Sequence, residues 1–235
     1  MRVQYVKIKE ALLEQIDTGM LAAGQKLPAE RKLAETFDTT RVTLREALSL
    51  LESEGRIYRE DRRGWFISPQ PVCYNPALAL TFEDIAIAAN RKFGSELISA
   101  KTVLATKQAS ELLALPPFSE VHRLERVRYL DDRPVVYMTH FIKSDPFPNL
   151  LNFDLSVSLT NVYHEYFNIC YGRTRYCISI TSLVGDMAHA LRATSGSPAM
   201  LVKKFNYDQH GTLIDCCLEY WRHDVICIES EAEFS

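Results

Sequence analysis

Two arginines at spacing i and i+2, Arg126 and Arg128, lie in a stretch that reads as a strand. Alternation along a strand puts both guanidiniums on one face, where their planar forks suit a carboxylate or a phosphate. The same pair also fits a solvent-facing hairpin, with Asp131 and Asp132 at hand as partners. Ser158 precedes Leu159 at the start of a helix, with Thr160 in its first turn. A helix N-terminus with a hydroxyl can bind an anion or can simply be capped. Further on, a strand over 212–221 sends Asp215, Glu219 and Trp221 to one face and Ile214, Cys216 and Leu218 to the other. Two carboxylates beside an indole suit an ammonium group; an exposed sheet face would have the same composition.

A second group of cations sits near the start. Arg41 and Arg45 are one turn apart on a helix, with Thr40 and Thr43 beside them. Arginine can grip guanine O6 and N7 from a major groove, and threonine can touch phosphate or a thymine methyl. Arg31 and Lys32 open the preceding helix, and Arg62-Arg63-Gly64 forms a turn that suits a minor groove. An isolated arginine pair on a helix is ordinary solvated surface. Cations coinciding at a helix start, a second helix and a hairpin tip point to DNA.

The elements that must position these groups follow from periodicity. Tyr5, Ile8, Leu12 and Ile16 recur at steps of three and four, so 5–18 is a helix closed by Gly19. A short helix is expected over 29–37, a turn at Asp38-Thr39-Thr40, and a third helix over 41–53 burying Leu44, Leu48 and Leu51 up to Gly55. Strands at 57–59 and 65–67 flank the Arg62-Arg63-Gly64 turn. Helix, helix, helix, hairpin is the order of a winged helix-turn-helix. Pro69, Pro71 and Pro76 mark 69–80 as a linker without regular structure. Beyond it, strands at 96–105, 120–130, 134–142, 175–183, 199–207 and 212–221 alternate with helices at 82–92, 107–115, from 158, and at 187–194. The fold class expected is α+β: a DNA-binding domain over 1–68, the linker over 69–80, and an antiparallel-sheet domain over 81–235.

The composition agrees. The 235 residues carry a formal charge of −3 with 47% hydrophobic residues, which excludes disorder over most of the chain. No apolar run reaches the roughly 18 residues of a membrane span. The charged opening offers no signal-peptide core, so a cytoplasmic protein is expected. Residues 1–68 are +1 and the remainder −4, which directs an acidic partner to the front. Six cysteines without a Cys-x-x-Cys or a histidine at ligand spacing are expected to be buried, reduced thiols; no metal or other cofactor is implied.

The run Leu27-Pro28-Ala29-Glu30-Arg31-Lys32-Leu33-Ala34, then Thr40 to Leu48 and Glu52-Ser53-Glu54-Gly55, resembles the amino-terminal domain of GntR-type bacterial transcriptional regulators. The resemblance implies operator contacts from Arg31, Arg41, Thr43, Arg45, Arg63 and Gly64. That family's wing usually reads Gly-Arg-Gly-Thr, whereas Arg62 and Trp65 stand here for the first Gly and the Thr. Glu46 would repel phosphate and is expected to pair with a neighbouring arginine. Residues 95–229 resemble the UTRA effector domain of the HutC branch through Arg126-Val127-Arg128, Asp132 to Val135, Asp154-Leu155, Ser158-Leu159-Thr160 and Tyr220 to Asp224. This implies a chorismate-lyase-like sheet on which Arg126, Arg128 and Ser158 hold a small anionic effector. Met138, Asp215 and Trp221 would meet the rest of it at positions that usually carry Glu, Glu and Tyr; Met138 makes a hydroxyl-rich sugar less suitable. Asn206 to Gly211, Glu219 to Asp224 and Asp61 to Phe66 are similar to the branch that governs use of 2-aminoethylphosphonate. That effector carries an anion and an ammonium, as the two residue groups require. A homodimer on a palindromic operator in double-stranded DNA is expected, with domains reorienting about 69–80. No G-x-S-x-G, phosphate-binding loop, dinucleotide fingerprint or H-E-x-x-H occurs. A lyase acting on a small acid is the enzyme alternative.

Overall fold

A computed structural model describes residues 3–78 and 80–231. The chain divides into two compact units. One comprises Met1–Asn75, Leu183–Pro198 and Arg222–Ser235, the other Pro76–Ser182 and Ala199–Trp221. Among the described residues, no helix is long and apolar enough to cross a membrane.

The first unit begins with α1 (Gln4–Asp17), α2 (Glu30–Thr36) and α3 (Arg41–Ser53), followed by β1 (Ile57–Glu60) and β2 (Gly64–Ile67). Helix α1 turns Ile8 and Leu12 inward. Thr40 caps α3 by accepting from the Thr43 amide at 3.2 Å, which satisfies one of the free N–H groups at the helix start. Leu44, Leu48 and Leu51 on α3 pack with Ile8, Leu12, Leu33, Ile57 and Trp65 in one core. Truncating any of these leucines to alanine costs about 2–5 kcal/mol. β1 and β2 pair antiparallel through Ile57–Ile67 to Glu60–Gly64. At the tip, Arg62 and Gly64 both take positive φ, 58° and 103°.

The expected linker is only partly irregular. β3 (Val72–Tyr74) pairs in parallel with β10 (Ile226–Ile228), so the ends of this unit are sewn together over a long sequence separation. Arg222 reinforces the closure, donating from Nη2 to the Arg59 carbonyl and from Nη1 to the Leu191 carbonyl, both at 2.9 Å. His223 Nε2 donates to the Glu52 carbonyl at the end of α3. Residues 183–198 and those from 222 onward pack in the same compact unit as the front of the chain, whereas the expected effector domain ran unbroken over 81–235. Four of the six cysteines are exposed rather than buried, Cys73, Cys170, Cys177 and Cys227, because each lies on a strand edge, outer strand or loop rather than in a packed layer.

The second unit is a six-stranded sheet with a helix layer on each side. Its strands are β4 (Phe93–Leu104), β5 (Glu120–Leu130), β6 (Arg133–Lys143), β7 (Tyr171–Ser182), β8 (Pro198–Asp208) and β9 (Leu213–Arg222), in the order β4-β5-β6-β9-β8-β7. The pairings β4/β5, β5/β6 and β6/β9 are antiparallel. Asp131 and Asp132 both take positive φ in the two-residue turn that joins β5 to β6, as a right-handed hairpin twist favours. Helix α4 (Phe82–Ala88) opens the unit with a capping box between Thr81 and Asp84. Helix α6 (Leu159–Phe167), with Phe147, Leu150 and Leu155, covers the face that carries Leu124 and Ile142. Helix α5 (Lys107–Leu113) covers the face that carries Val121, Phe141, Cys216 and Leu218. Ile214 packs with the α6 layer instead of joining Cys216 and Leu218. It lies one residue into β9, where the alternation is only beginning.

Candidate functional site

The group of cations near the start of the chain is built around α3 and the hairpin. Arg41 is exposed in the first turn of α3, and Arg45 follows one turn later with a side chain 61% exposed. Thr40 Oγ1 and Thr43 Oγ1 lie 3.0 Å apart at the same end. Val42, 77% exposed between them, offers an apolar surface suited to a thymine methyl. Arg31 on α2 makes only an exposed pair with Glu35, worth little energetically and easily given up to a phosphate. Arg62 is the most exposed cation of the hairpin tip, while Arg63 leans on Glu60 and on the Phe66 ring. Gly64 holds a φ that strains other residues, and a side chain there would meet Lys26 Cε at 3.4 Å. Lys26 thus flanks the hairpin, a neighbour that the sequence did not reveal.

Glu30 ties these pieces together. Its Oε2 accepts from Arg45 Nε at 2.8 Å and its Oε1 from the Trp65 indole at 3.1 Å. Burial pushes the carboxyl up, but the bonds from Trp65 and Arg45 and the charge of Arg59 bring it below the usual range. Glu30, not Glu46, is the carboxylate that takes Arg45. Trp65 is buried in the core of the unit, so the residue in the usual threonine position points inward and is unavailable to DNA.

The second group gathers on the α6 face of the large sheet. Register places Leu97, Arg126, Met138 and Glu219 in one row across β4, β5, β6 and β9. The next row is Ser95, Arg128, Val136 and Trp221. Arg126 is 2% exposed. Its Nη1 donates to the carbonyls of Leu155 (3.3 Å) and Val157 (2.8 Å), and its Nη2 to His140 Nε2 at 3.1 Å. The bond to Val157 ties the guanidinium to the segment entering α6, and Ser158 stands at the N-cap with no side-chain capping bond. Thr160 is exposed, and no contact joins it to either arginine among the described residues.

Neither arginine has a carboxylate partner among the described residues. Arg126 Nε, Arg128 Nε, Ser95 Oγ and Tyr163 Oη are buried without hydrogen-bond partners. Arg128 has the Phe82 ring 5.8 Å away as its packing partner. Burial first, and then the charge of Arg126, brings Arg128 down to about 10. Burial likewise lowers Arg126, and burial with the two arginine charges holds His140 neutral, well below its ordinary value. The solvent-facing hairpin alternative fails: Asp131 pairs with Arg91 and Asp132 with Lys92.

Asp215, Glu219 and Trp221 are buried, not an exposed face. Asp215 accepts from Tyr171 Oη at 2.7 Å and from Asn206 Nδ2 at 2.6 Å. Burial pushes it up to about 6 against both bonds. Glu219 accepts from Lys204 Nζ at 2.6 Å and from the Trp221 indole at 3.0 Å. Both carboxylates are therefore engaged within the protein. Lys204, His140 and Tyr163 were not singled out in the sequence; strand parity on β6 and β8 carries the signal for the first two.

The bacterial regulatory protein gntR family matches residues 4–67, and the UTRA domain matches residues 88–226. The chain belongs to the GntR family. It is a HutC-like transcriptional regulator, a winged helix-turn-helix domain followed by a UTRA effector-binding domain. It is 29% identical over 223 residues to the HTH-type transcriptional regulator YihL of Escherichia coli K12, covering 93% of each chain. It is 29% identical over 221 residues to the HTH-type transcriptional repressor NagR of Bacillus subtilis, covering 94% of this chain and 90% of NagR. The fold matches PhnF from Mycobacterium smegmatis with a TM-score of 0.67 at 24% identity, over 97% of this chain and 100% of PhnF. In a GntR regulator, α2 and α3 are the helix-turn-helix and β1–β2 the wing. The arginine pair lies within the UTRA segment.

Proposed function

We propose that this regulator represses transcription as a homodimer on a palindromic operator, and that a small anion seated at Arg126, Arg128 and Ser158 changes its grip on DNA. One observation carries the effector half: a buried and a half-buried guanidinium on one strand face, two Nε–H groups without acceptors, and no paired carboxylate among the described residues. A buried charge without a counter-ion costs several kcal/mol, so an anion is the chemistry that this face favours. The DNA half rests on Arg31, Thr40, Arg41, Thr43, Arg45, Arg62, Arg63 and Gly64, with α3 in the major groove and the wing in the adjacent minor groove. Two-fold protein symmetry would mirror a palindrome. The repressor sign is supported by the relative NagR, itself named a repressor.

The finer reading is a phosphonate, 2-aminoethylphosphonate or a related metabolite. Its anion would take Arg126, Arg128 and Ser158, Met138 would lie along its carbon chain, and its ammonium would approach Glu219, Asp215 and Trp221. Lys204 already occupies Glu219, so the effector's ammonium would compete with Lys204 Nζ for that carboxylate. Isothermal titration with 2-aminoethylphosphonate, ethylphosphonate and a sugar phosphate separates the readings. Tight binding of the first alone supports the phosphonate with its ammonium. Equal binding of the first two leaves the anion site and removes the ammonium from the account. Binding of none contradicts the anion site for these classes.

A further inference from the structure

The recognition helix and the wing are joined by a relay that the operator-contacting residues alone do not reveal. Trp65 stands at the base of the wing, directly after Gly64, and is 6% exposed. Its indole Nε1 donates to Glu30 Oε1, and the other oxygen of that carboxylate accepts from Arg45 Nε. Arg45 makes no other hydrogen bond or ion pair among the described residues, so Nη1 and Nη2 remain open on a largely exposed side chain. A guanidinium can present a paired edge through Nη1 and Nη2, or through Nε and one terminal nitrogen. With Nε given to Glu30, only the terminal edge is left for a base.

We infer that Trp65 and Glu30 are positioning residues for base readout: through the indole–carboxylate–guanidinium relay they fix which edge of Arg45 faces the operator. This rests on operator binding by α3, as proposed above. The relay predicts a particular division of labour. Arg45 supplies the hydrogen bonds to the base, Glu30 sets the rotation of the guanidinium, and Trp65 keeps the Glu30 carboxylate turned toward α3. A phenylalanine at 65 keeps an aromatic ring in the core but removes both the donor and part of the indole's volume, so E30Q, which breaks the same relay without opening the core, is the variant that separates Glu30 orientation from packing. Nonspecific affinity, set by phosphate contacts from exposed cations such as Arg31 and Arg62, is left unchanged.

The test is selection of binding sites from a randomised duplex library with the full-length wild type, W65F, E30Q and R45A, followed by anisotropy titrations on the wild-type consensus and on a scrambled duplex. The wild type is expected to enrich a consensus, and R45A to lose preference at one base pair of each half-site. W65F and E30Q are expected to weaken preference at that same base pair by about tenfold in the consensus-to-scrambled ratio, with scrambled-duplex affinity and salt slope unchanged. A double-mutant cycle between E30Q and R45A should be non-additive at that position. If W65F and E30Q keep the wild-type preference while R45A loses it, the relay is overturned and the operator reading stands. If the wild type enriches no consensus, the operator reading itself fails. Should W65F not fold, E30Q and its cycle with R45A decide the matter alone.

Discussion

Arg126 and Arg128 stand two residues apart on one face of β5, and each buries an Nε–H that meets no acceptor. Their burial and mutual repulsion are only partly offset, by the bonds Arg126 makes to Leu155, Val157 and His140 and by the charges of Glu219 and Glu83, which is the setting an added anion would relieve. The residues around them add to it: Ser95 Oγ and Tyr163 Oη are likewise buried without partners.

Replacing Arg128 by methionine relieves that repulsion while keeping a packing partner for Phe82. R128M is expected to raise the melting temperature of the free protein by a few degrees and to weaken binding of an anionic effector by about 100-fold. Differential scanning fluorimetry and titration calorimetry check the two halves. A variant that melts lower and binds as tightly would remove Arg128 from the site. R126M is expected to lose binding without the gain in stability, because Arg126 also satisfies the carbonyls of Leu155 and Val157.

The buried carboxyl of Asp215 makes a pH-dependent contribution whose sign is fixed. Burial lifts it to about 6 in the folded protein, against an unfolded value of about 3.9. Between those values the folded state holds more protons, so this group's contribution to stability falls as pH rises from about 4 to 6 and is flat beyond. D215N lacks the titration. Its unfolding free energy relative to the wild type should therefore climb by about 2 kcal/mol from pH 4 to pH 7. Urea melts across that range provide the comparison, and parallel profiles would refute the assignment.

On DNA, contacts to phosphate and to bases should separate. Arg31 and Arg62 are exposed cations in weak pairs, so R31A and R62A should each weaken specific and nonspecific DNA alike and reduce the salt slope by about 1. R41A should instead lower the specific affinity by about 1–3 kcal/mol and leave nonspecific binding nearly intact. Anisotropy titrations at several salt concentrations distinguish the patterns.

Arg222 closes the unit that carries the winged helix by satisfying two backbone carbonyls, on Arg59 and Leu191. R222M leaves both without that donor and is expected to destabilise the protein by about 3 kcal/mol. Chemical denaturation followed by tryptophan fluorescence measures it. Little change would mean that the parallel β3–β10 pairing closes the unit unaided.

Much of this was legible in the residues. The spacing of Leu44, Leu48 and Leu51 gave α3 at its observed bounds, and strand parity placed Arg126 with Arg128 and Asp215 with Glu219 and Trp221. Parity does not say which face is covered, so the burial of both groups was hidden, along with Lys204 and His140 between them. β3 and β10 were missed because each is three residues long and their pairing spans some 150 residues, beyond any local pattern. Trp65 read as a change to the wing; only the fold shows the indole turned inward to Glu30.

The most direct test is a fluorescence-anisotropy titration of the wild type and R128M onto the DNA upstream of the neighbouring genes, with and without 2-aminoethylphosphonate. Wild-type affinity should fall by about tenfold or more when the effector is added, and R128M should bind DNA equally well in its presence and absence. Tight operator binding by both proteins, shifted equally by the ligand, would contradict an anion switch at Arg126 and Arg128.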